Sequence, residues 1–323
     1  MVKTSSELPA SEALQRYSLN GKTMGTRYTA LFYAPASIDA AAIQAELQAA
    51  VDEVDRQMST WKPDSDLCRL NAAPEDTWVT VPRALMEVLD TGLAVGRESN
   101  GAFDMGVGAL VDTWGFGPSA RSFAPHDPAP GPQTPAPAGA ALDVDTGLRR
   151  VRKRRPVKLD LSGIAKGYGV DALARCLDRR GIADYLVGID GEMRARGAKP
   201  AGEAWAVAIE QPVFGRREVA GVIELRDAAI ATSGDYRHWV DVGAKRYAHT
   251  MDPRTGLPLS NTVAAVTVLT PTCMLADAWA TALLVLGERD GIALARDKGI
   301  DALFVLRDGA GLREILVPGT LLQ

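Results

Sequence analysis

The chain has 323 residues, 46% of them hydrophobic, enough to bury the core of one large domain or of two. Its formal charge of −4 argues against a general nucleic-acid binder. Cys68, Cys176 and Cys273 lack metal-ligand spacing, and their odd number gives no disulfide framework.

No apolar run reaches the about 18–20 residues of a membrane-spanning helix. The first residues, MVKTSSELPASEALQRYSLNG, have no hydrophobic core and no lipobox-like cysteine, so they do not form a signal peptide as written. Residues 1–20 are expected to be a flexible extension. Either the protein is cytoplasmic or a leader has been removed, and both readings stay open.

Met24-Gly25-Thr26 reads as a tight turn before a strand, Tyr28 to Tyr33. Ile43, Leu47, Val51, Val54 and Met58 recur at helical spacing over 38–58, with Ser37 as the expected cap. The polar stretch 58–71 carries one aromatic, Trp61. A second helix starts with Thr80 as cap and Pro82 in its first turn. Residues 101–117 hold five glycines and three aromatics and fit neither plain helix nor strand. The seven prolines from Gly117 to Gly139 mark a surface loop, taken as 117–140.

A hairpin is expected around Gly147, leading into the basic run RRVRKRR (149–155), which reads as a solvated edge strand. The stretch KLDLSGIAKGYGVDALARCL (158–177) reads as a strand ending at Ser162, a glycine-broken turn and a helix. Unpaired amides and the positive dipole end make such a helix start a phosphate site. Strands follow at 185–189, 205–210, 219–225, 229–233 and 262–269; then a helix at 273–286, another near 289–298, and a strand at 301–306. Strands in runs with a few helices favour α+β over a doubly wound sheet. No linker divides residues 21–323, and no repeat appears at solenoid periods.

Asp277 and Thr281 stand four apart on one helix face and offer hard oxygens suited to Mg²⁺ or Ca²⁺. The plainer alternative is a helix-start aspartate and a threonine bonded to its own backbone. His249 lies three residues before the turn Asp252-Pro253-Arg254-Thr255-Gly256. It could act as a general base near neutral pH, with a structural histidine as the alternative. There is no GxGxxG, GxxxxGK[ST], GxSxG or HExxH pattern.

Eight segments, in order, together resemble the ApbE family of FAD:protein FMN transferases. They are MGTRY (24–28), MSTWKPDSDLCRLN (58–71), GAFDMGVGALVDTWGFGP (101–118) and KLDLSGIAKGYGVD (158–171), then YLVGIDGEMRARG (185–197), ATSGDYRHW (231–239), HTMDPRTGLP (249–258) and ADAWATALLVLG (276–287). The resemblance implies an α+β, ApbE-like (T-fold-like) architecture of two intertwined subdomains with FAD in the cleft between them. It implies Mg²⁺-dependent transfer of FMN from FAD to a Thr or Ser hydroxyl of an acceptor protein, releasing AMP. By motif position, Met24, Trp61, Ala102, Phe103, Asp104, Ser162, Tyr168 and Met251 would contact FAD. The Ala165 carbonyl, Asp277 and Thr281 would hold the metal, and His249 would take the proton from the incoming hydroxyl. Lys166 could add a cationic contact.

Two positions depart from the family pattern. Ala280 stands where some relatives carry an aspartate, which thins the metal shell, and Trp61 stands where relatives often carry tyrosine. The alternatives are a metal-dependent FAD pyrophosphatase and a non-catalytic FAD-binding protein. By analogy the acceptor is a membrane respiratory component and the location is the periplasm, with membrane anchoring in the native form; nucleic acid is not a partner.

Overall fold

The computed structural model describes residues 13–119, 123, 127–216, 218–243, 245–309 and 311–321. The chain opens with a hairpin of β1 (Leu14–Thr23) and β2 (Thr26–Pro35), then helix α1 (Ala40–Met58). Next come α2 (Asp66–Ala72), β3 (Trp78–Thr80), α3 (Arg83–Glu98), α4 (Gly108–Thr113) and α5 (Ala138–Ala141). β4 (Leu142–Asp145) and β5 (Arg150–Lys153) precede α6 (Ala165–Arg179). β6 (Tyr185–Ile189), β7 (Glu192–Arg196), β8 (Trp205–Glu210), β9 (Val219–Leu225) and β10 (Ala229–Gly234) follow. After them run β11 (Trp239–Val242), β12 (Lys245–Ala248), β13 (Met251–Asp252), β14 (Leu257–Pro258) and β15 (Val263–Thr270). The chain closes with α7 (Cys273–Lys298), β16 (Asp301–Asp308) and β17 (Gly311–Val317).

An eight-stranded sheet in the order β1-β2-β6-β7-β10-β15-β16-β17 organises the molecule, and every neighbouring pair in it is antiparallel. Helices beside antiparallel sheets make the fold α+β. The strands follow one another in chain order across this sheet, so β1 and β17, from the two ends of the chain, form its opposite edges. β15 is buried along its whole length, as an unbroken apolar run between two covered faces requires.

Two apolar cores meet at α6. Val170, Leu173 and Leu177 pack with Ile43, Leu47 and Val51 of α1 and with β2 and β6. Ala165 and Tyr168, one turn earlier, join the core built on α3 and α7. The first turn of α6 therefore sits at the seam.

Several expectations shift. The segment expected as an extension to residue 20 is strand from Leu14 onward, while residues 1–12 lie outside the described residues. Asp39 caps α1 in place of Ser37, its carboxylate accepting from Ala42 N at 2.9 Å. α3 begins at Arg83, with Pro82 rather than Thr80 at the cap and no side-chain cap bond. Lys158 makes only an isolated bridge to Val107, so the strand expected before Ser162 is absent there.

The basic run lies in β5, the middle strand of β3-β5-β4, not at an edge. Arg150 pairs with Asp145 and Arg152 with Asp143, and both guanidinium groups stack on Trp78. Those contacts give Arg150 and Arg152 their counter-charges within the sheet. The expected helices at 273–286 and 289–298 occur as one element broken at Gly287, where φ is 81° and ψ −170°.

Within the proline-rich segment, residues 120–122 and 124–126 lie outside the described residues. Residues 127–137 carry no regular structure, yet they are fastened at two points. The Gln133 amide donates to Gly256 O at 3.3 Å, and the Ala138 amide donates to Asp104.

Candidate active site

The site grows from the way α6 and α7 cross. Gly167 in the first turn of α6 lies so close to α7 that a β-carbon there would fall 2.3 Å from the Cys273 carbonyl oxygen. Only glycine permits that approach. Its amide donates to Asp277 Oδ2 at 2.9 Å. One turn deeper in α6, Asp171 accepts from the Cys273 and Met274 amides at 3.0 and 2.9 Å. α7 has no side-chain cap of its own, so α6 caps it from outside.

Thr281 follows Asp277 on the same face of α7. Its hydroxyl lies 3.0 Å from Ser233 Oγ on β10 and 3.2 Å from where a Gly163 β-carbon would stand. The Phe103 ring edge is 3.3 Å from that same point. The turn 163–167 thus runs along the Asp277–Thr281 face, touching it at both ends. This brings Ala165, Asp277, Thr281 and Phe103 together from three distant segments.

Burial dominates the electrostatics. Asp277 is buried, and desolvation together with the nearby Glu192 carboxylate pushes its pKa above the usual carboxylate range, against the pull of Lys166 and the Gly167 amide. Lys166 ion-pairs with Glu192. Burial works to depress the Lys166 ammonium, but Glu192 and then Asp277 outweigh it and hold its pKa above the ordinary lysine value.

A hard cation fits this donor set: one buried carboxylate, one threonine hydroxyl and a turn carbonyl, with like-charged Glu192 nearby. Among the described residues no three His, Cys, Asp or Glu side chains cluster in a metal-holding arrangement, so backbone and hydroxyl oxygens would have to complete the shell.

His249 follows β12 directly, and His238 precedes β11, so the two histidines flank the base of one hairpin. His249 Nδ1 lies 3.2 Å from the His238 carbonyl oxygen. A carbonyl only accepts, so Nδ1 carries the proton and Nε2 keeps its lone pair. The half-buried ring is desolvated, and with His238 and Lys166 near it the pKa falls to about 4. At neutral pH the imidazole is neutral and able to accept a proton.

The remaining residues divide. Met24 sits at φ 45° in the two-residue turn between β1 and β2, and its methyl reaches 2.9 Å from the Gly169 β-carbon position. Ala102 and Phe103 are buried just past α3. Ser162 is exposed and its amide donates to Asp160. Tyr168 is buried under Arg175, with its hydroxyl 3.5 Å from Glu87. Met251 is buried against Leu110 and Trp114. Trp61 is 66% exposed.

Asp104 is occupied structurally. Its Oδ1 accepts from Gly106 and Ala138 amides at 2.6 and 3.0 Å. A cavity of about 230 Å³ opens beside it, lined by Gly96, Arg97, Phe103, Asp104 and Ala138. That falls below the about 300–1,000 Å³ of a drug-sized site, so it has room for only part of a dinucleotide.

Sequence reading assigned no part to Ser233, Asp171 or Glu192. All three stand inside the family-like segments, but a carboxylate's burial and partner are not visible in a linear chain.

The sequence pattern of the ApbE family matches residues 24–304. The chain belongs to the ApbE family. It is 35% identical to the FAD:protein FMN transferase of Klebsiella pneumoniae over 326 residues, 97% of this chain and 91% of that protein. The flavin transferase ApbE from Vibrio cholerae superposes with a TM-score of 0.84 at 37% identity, covering 94% of this chain and 97% of that one. The Pseudomonas stutzeri flavinyl transferase ApbE, in its apo form, gives 0.81 at 34% identity, covering 94% and 95%. The ApbE-like α+β fold expected from the motifs is the fold observed.

Proposed function

We propose that this protein is an FAD:protein FMN transferase that moves FMN from FAD to a Thr or Ser hydroxyl of an acceptor protein and releases AMP. The observation that carries the reading is the convergence of the 163–167 turn with Asp277 and Thr281 at the N-terminal end of α6. ApbE relatives named for this activity match nearly the whole chain.

The Ala165 carbonyl, Asp277 and Thr281 would hold Mg²⁺, which when bound supplies charge neutralisation at the pyrophosphate. The α6 start adds the positive end of its dipole to the same phosphates. Met24, Trp61, Ala102, Phe103, Ser162, Tyr168 and Met251 would bind and orient the FAD. His249 Nε2 takes the hydroxyl proton as the acceptor oxygen attacks the FMN-side phosphorus. The bridging oxygen leaves with AMP. Asp104 fixes the end of the proline-rich segment against the site. From the family likeness, the acceptor is a membrane respiratory component and the site of action is the periplasm.

The test is incubation with FAD, Mg²⁺ and a flavin-accepting domain. Covalent fluorescence on the acceptor, with AMP in solution, supports transfer. FMN and AMP without labelled acceptor would make the protein a pyrophosphatase, and intact FAD a binding protein. Asp277→Asn, which keeps an oxygen for Gly167 but loses the charge, should slow AMP release by at least about a hundredfold. A wild-type rate in that variant would remove the metal assignment.

A further inference from the structure

Both bonds that orient His249 end on one atom. Its backbone amide donates to the His238 carbonyl oxygen at 3.1 Å, and its ring Nδ1 lies 3.2 Å from the same oxygen. An imidazole tied to a backbone carbonyl points where that backbone places it, so the position of residue 238 aims Nε2.

His238 ends the irregular loop 235–238 between β10 and β11. The first half of the loop is fastened to the sheet beside it. The Asp235 amide donates to Ala264 O at 3.1 Å, its carboxylate pairs with Arg307, and Tyr236 is buried against Ala265 and Val305. The second half is held by Arg237. Its Nη1 donates to both Asp190 carboxylate oxygens at 3.2 Å, and its Nη2 donates to Glu210 Oε2 at 2.6 Å. Glu210 ends β8, and Asp190, at φ 54°, opens the tight turn between β6 and β7. A β-carbon on Gly191 would stand 3.3 Å from Nη2, so the guanidinium lies against that turn.

A planar guanidinium bonded to carboxylates on two elements has one orientation, which a lysine ammonium would not have. The three side chains are at most 28% exposed, so water screens the clamp less than a surface pair. The Asp190 turn runs on into Glu192, which pairs with Lys166 in the first turn of α6. Arg237 thus spans from the loop that holds the base to the turn that reaches the helix start proposed to meet the phosphates. Among the described residues, its bonds go to none of the side chains proposed to bind FAD.

Resting on the flavin-transfer reading, we propose that Arg237, clamped by Asp190 and Glu210, is the positioning residue that fixes the His238 carbonyl and through it the ring of His249. In the transfer, the acceptor oxygen bonds to the FMN phosphorus while that phosphorus loses its bond to the bridging oxygen. AMP departs with the bridging oxygen and its electron pair, and the hydroxyl proton goes to His249 Nε2. A base displaced by about 1 Å loses on the order of a hundredfold in rate, while substrate binding is spared.

The experiment uses the full chain with FAD, Mg²⁺ and a flavin-accepting domain. Arg237→Met should lower kcat for FMN transfer about thirty- to a hundredfold and keep the FAD Kd within about threefold of wild type. Arg237→Lys, which keeps the charge but not the fork, should fall between the two. A second readout needs no turnover: the imidazole ¹⁵N shifts of His249, identified by their loss in His249→Gln. Wild type should show the Nδ1–H tautomer alone, and Arg237→Met a mixture of both tautomers. If Arg237→Met does not fold, Asp190→Asn combined with Glu210→Gln keeps the arginine, removes the clamping charges and takes its place. A wild-type rate would overturn the proposal, and so would a slow variant whose ring keeps the single tautomer. A rise in Kd that matches the fall in kcat would make Arg237 a ligand contact instead. Wild type that transfers no FMN, with the tautomers still mixed by Arg237→Met, would remove the transferase reading and keep the positioning role.

Discussion

The amide of Gly167 and the carboxylate of Asp277 meet at 2.9 Å although 110 positions separate them, and this bond joins the first turns of α6 and α7. A β-carbon on Gly167 would lie 2.3 Å from Cys273 O and 2.8 Å from Asp277 Cβ, so the helices would have to separate. Gly167→Ala is expected to cost about 1–3 kcal/mol in urea unfolding, as overpacking does, and to weaken Mg²⁺ binding with it. Unchanged stability would mean that the crossing tolerates a methyl group and is looser than described.

Asp104 separates anchoring from ligand contact. Its carboxylate serves the Gly106 and Ala138 amides, and burial pushes its pKa above the usual carboxylate value while those two bonds pull it down. Asp104→Ala leaves both amides without that acceptor and should lose about 1–3 kcal/mol. Asp104→Asn keeps one acceptor oxygen for both and should stay near wild type. Denaturant midpoints for the two variants decide the matter; equal losses in both would point to a need for the charge itself.

The lowered pKa of His249 sets a pH dependence. The unfolded chain binds a proton there near pH 6.5 and the folded chain only near about 4, so falling pH across that window favours the unfolded state. The stability that the neutral ring contributes is whole above pH 6.5 and declines below it. His249→Gln, which does not titrate, should show a shallower fall in Tm between pH 6.5 and 4. Parallel slopes would place the proton elsewhere. The same variant should bind FAD but transfer no FMN.

Trp61 offers the opposite case, a large aromatic ring left 66% exposed. Trp61→Ala should therefore leave stability within about 0.5 kcal/mol. If the indole stacks on FAD, the loss is about 0.5–1.5 kcal/mol, up to about a tenfold rise in Kd. Trp61→Tyr should restore most of it. Equal affinity in all three proteins would place the flavin elsewhere.

The linear chain carried much of this. Apolar periodicity marked α1 and β15, Gly287 divided α7, and the motif order pointed to the family. Short or solvent-facing pieces such as α2, β3, β7, β11, β12 and β17 gave no periodic signal, because a few residues cannot reveal which face is covered. β5 read as an edge strand because its arginines look solvated, and only pairing with β3 and β4 shows that Trp78, Asp143 and Asp145 absorb them.

By itself the sequence determined the residue types of the site, since Asp277 and Thr281 share a helix face through spacing alone. The tertiary structure decided what they meet. Gly167 reaches Asp277, Ser233 reaches Thr281 and Glu192 holds Lys166 across separations of 110, 48 and 26 residues. Contacts at such distances arise from packing two cores against one helix, and burial then sets the charge state of each group.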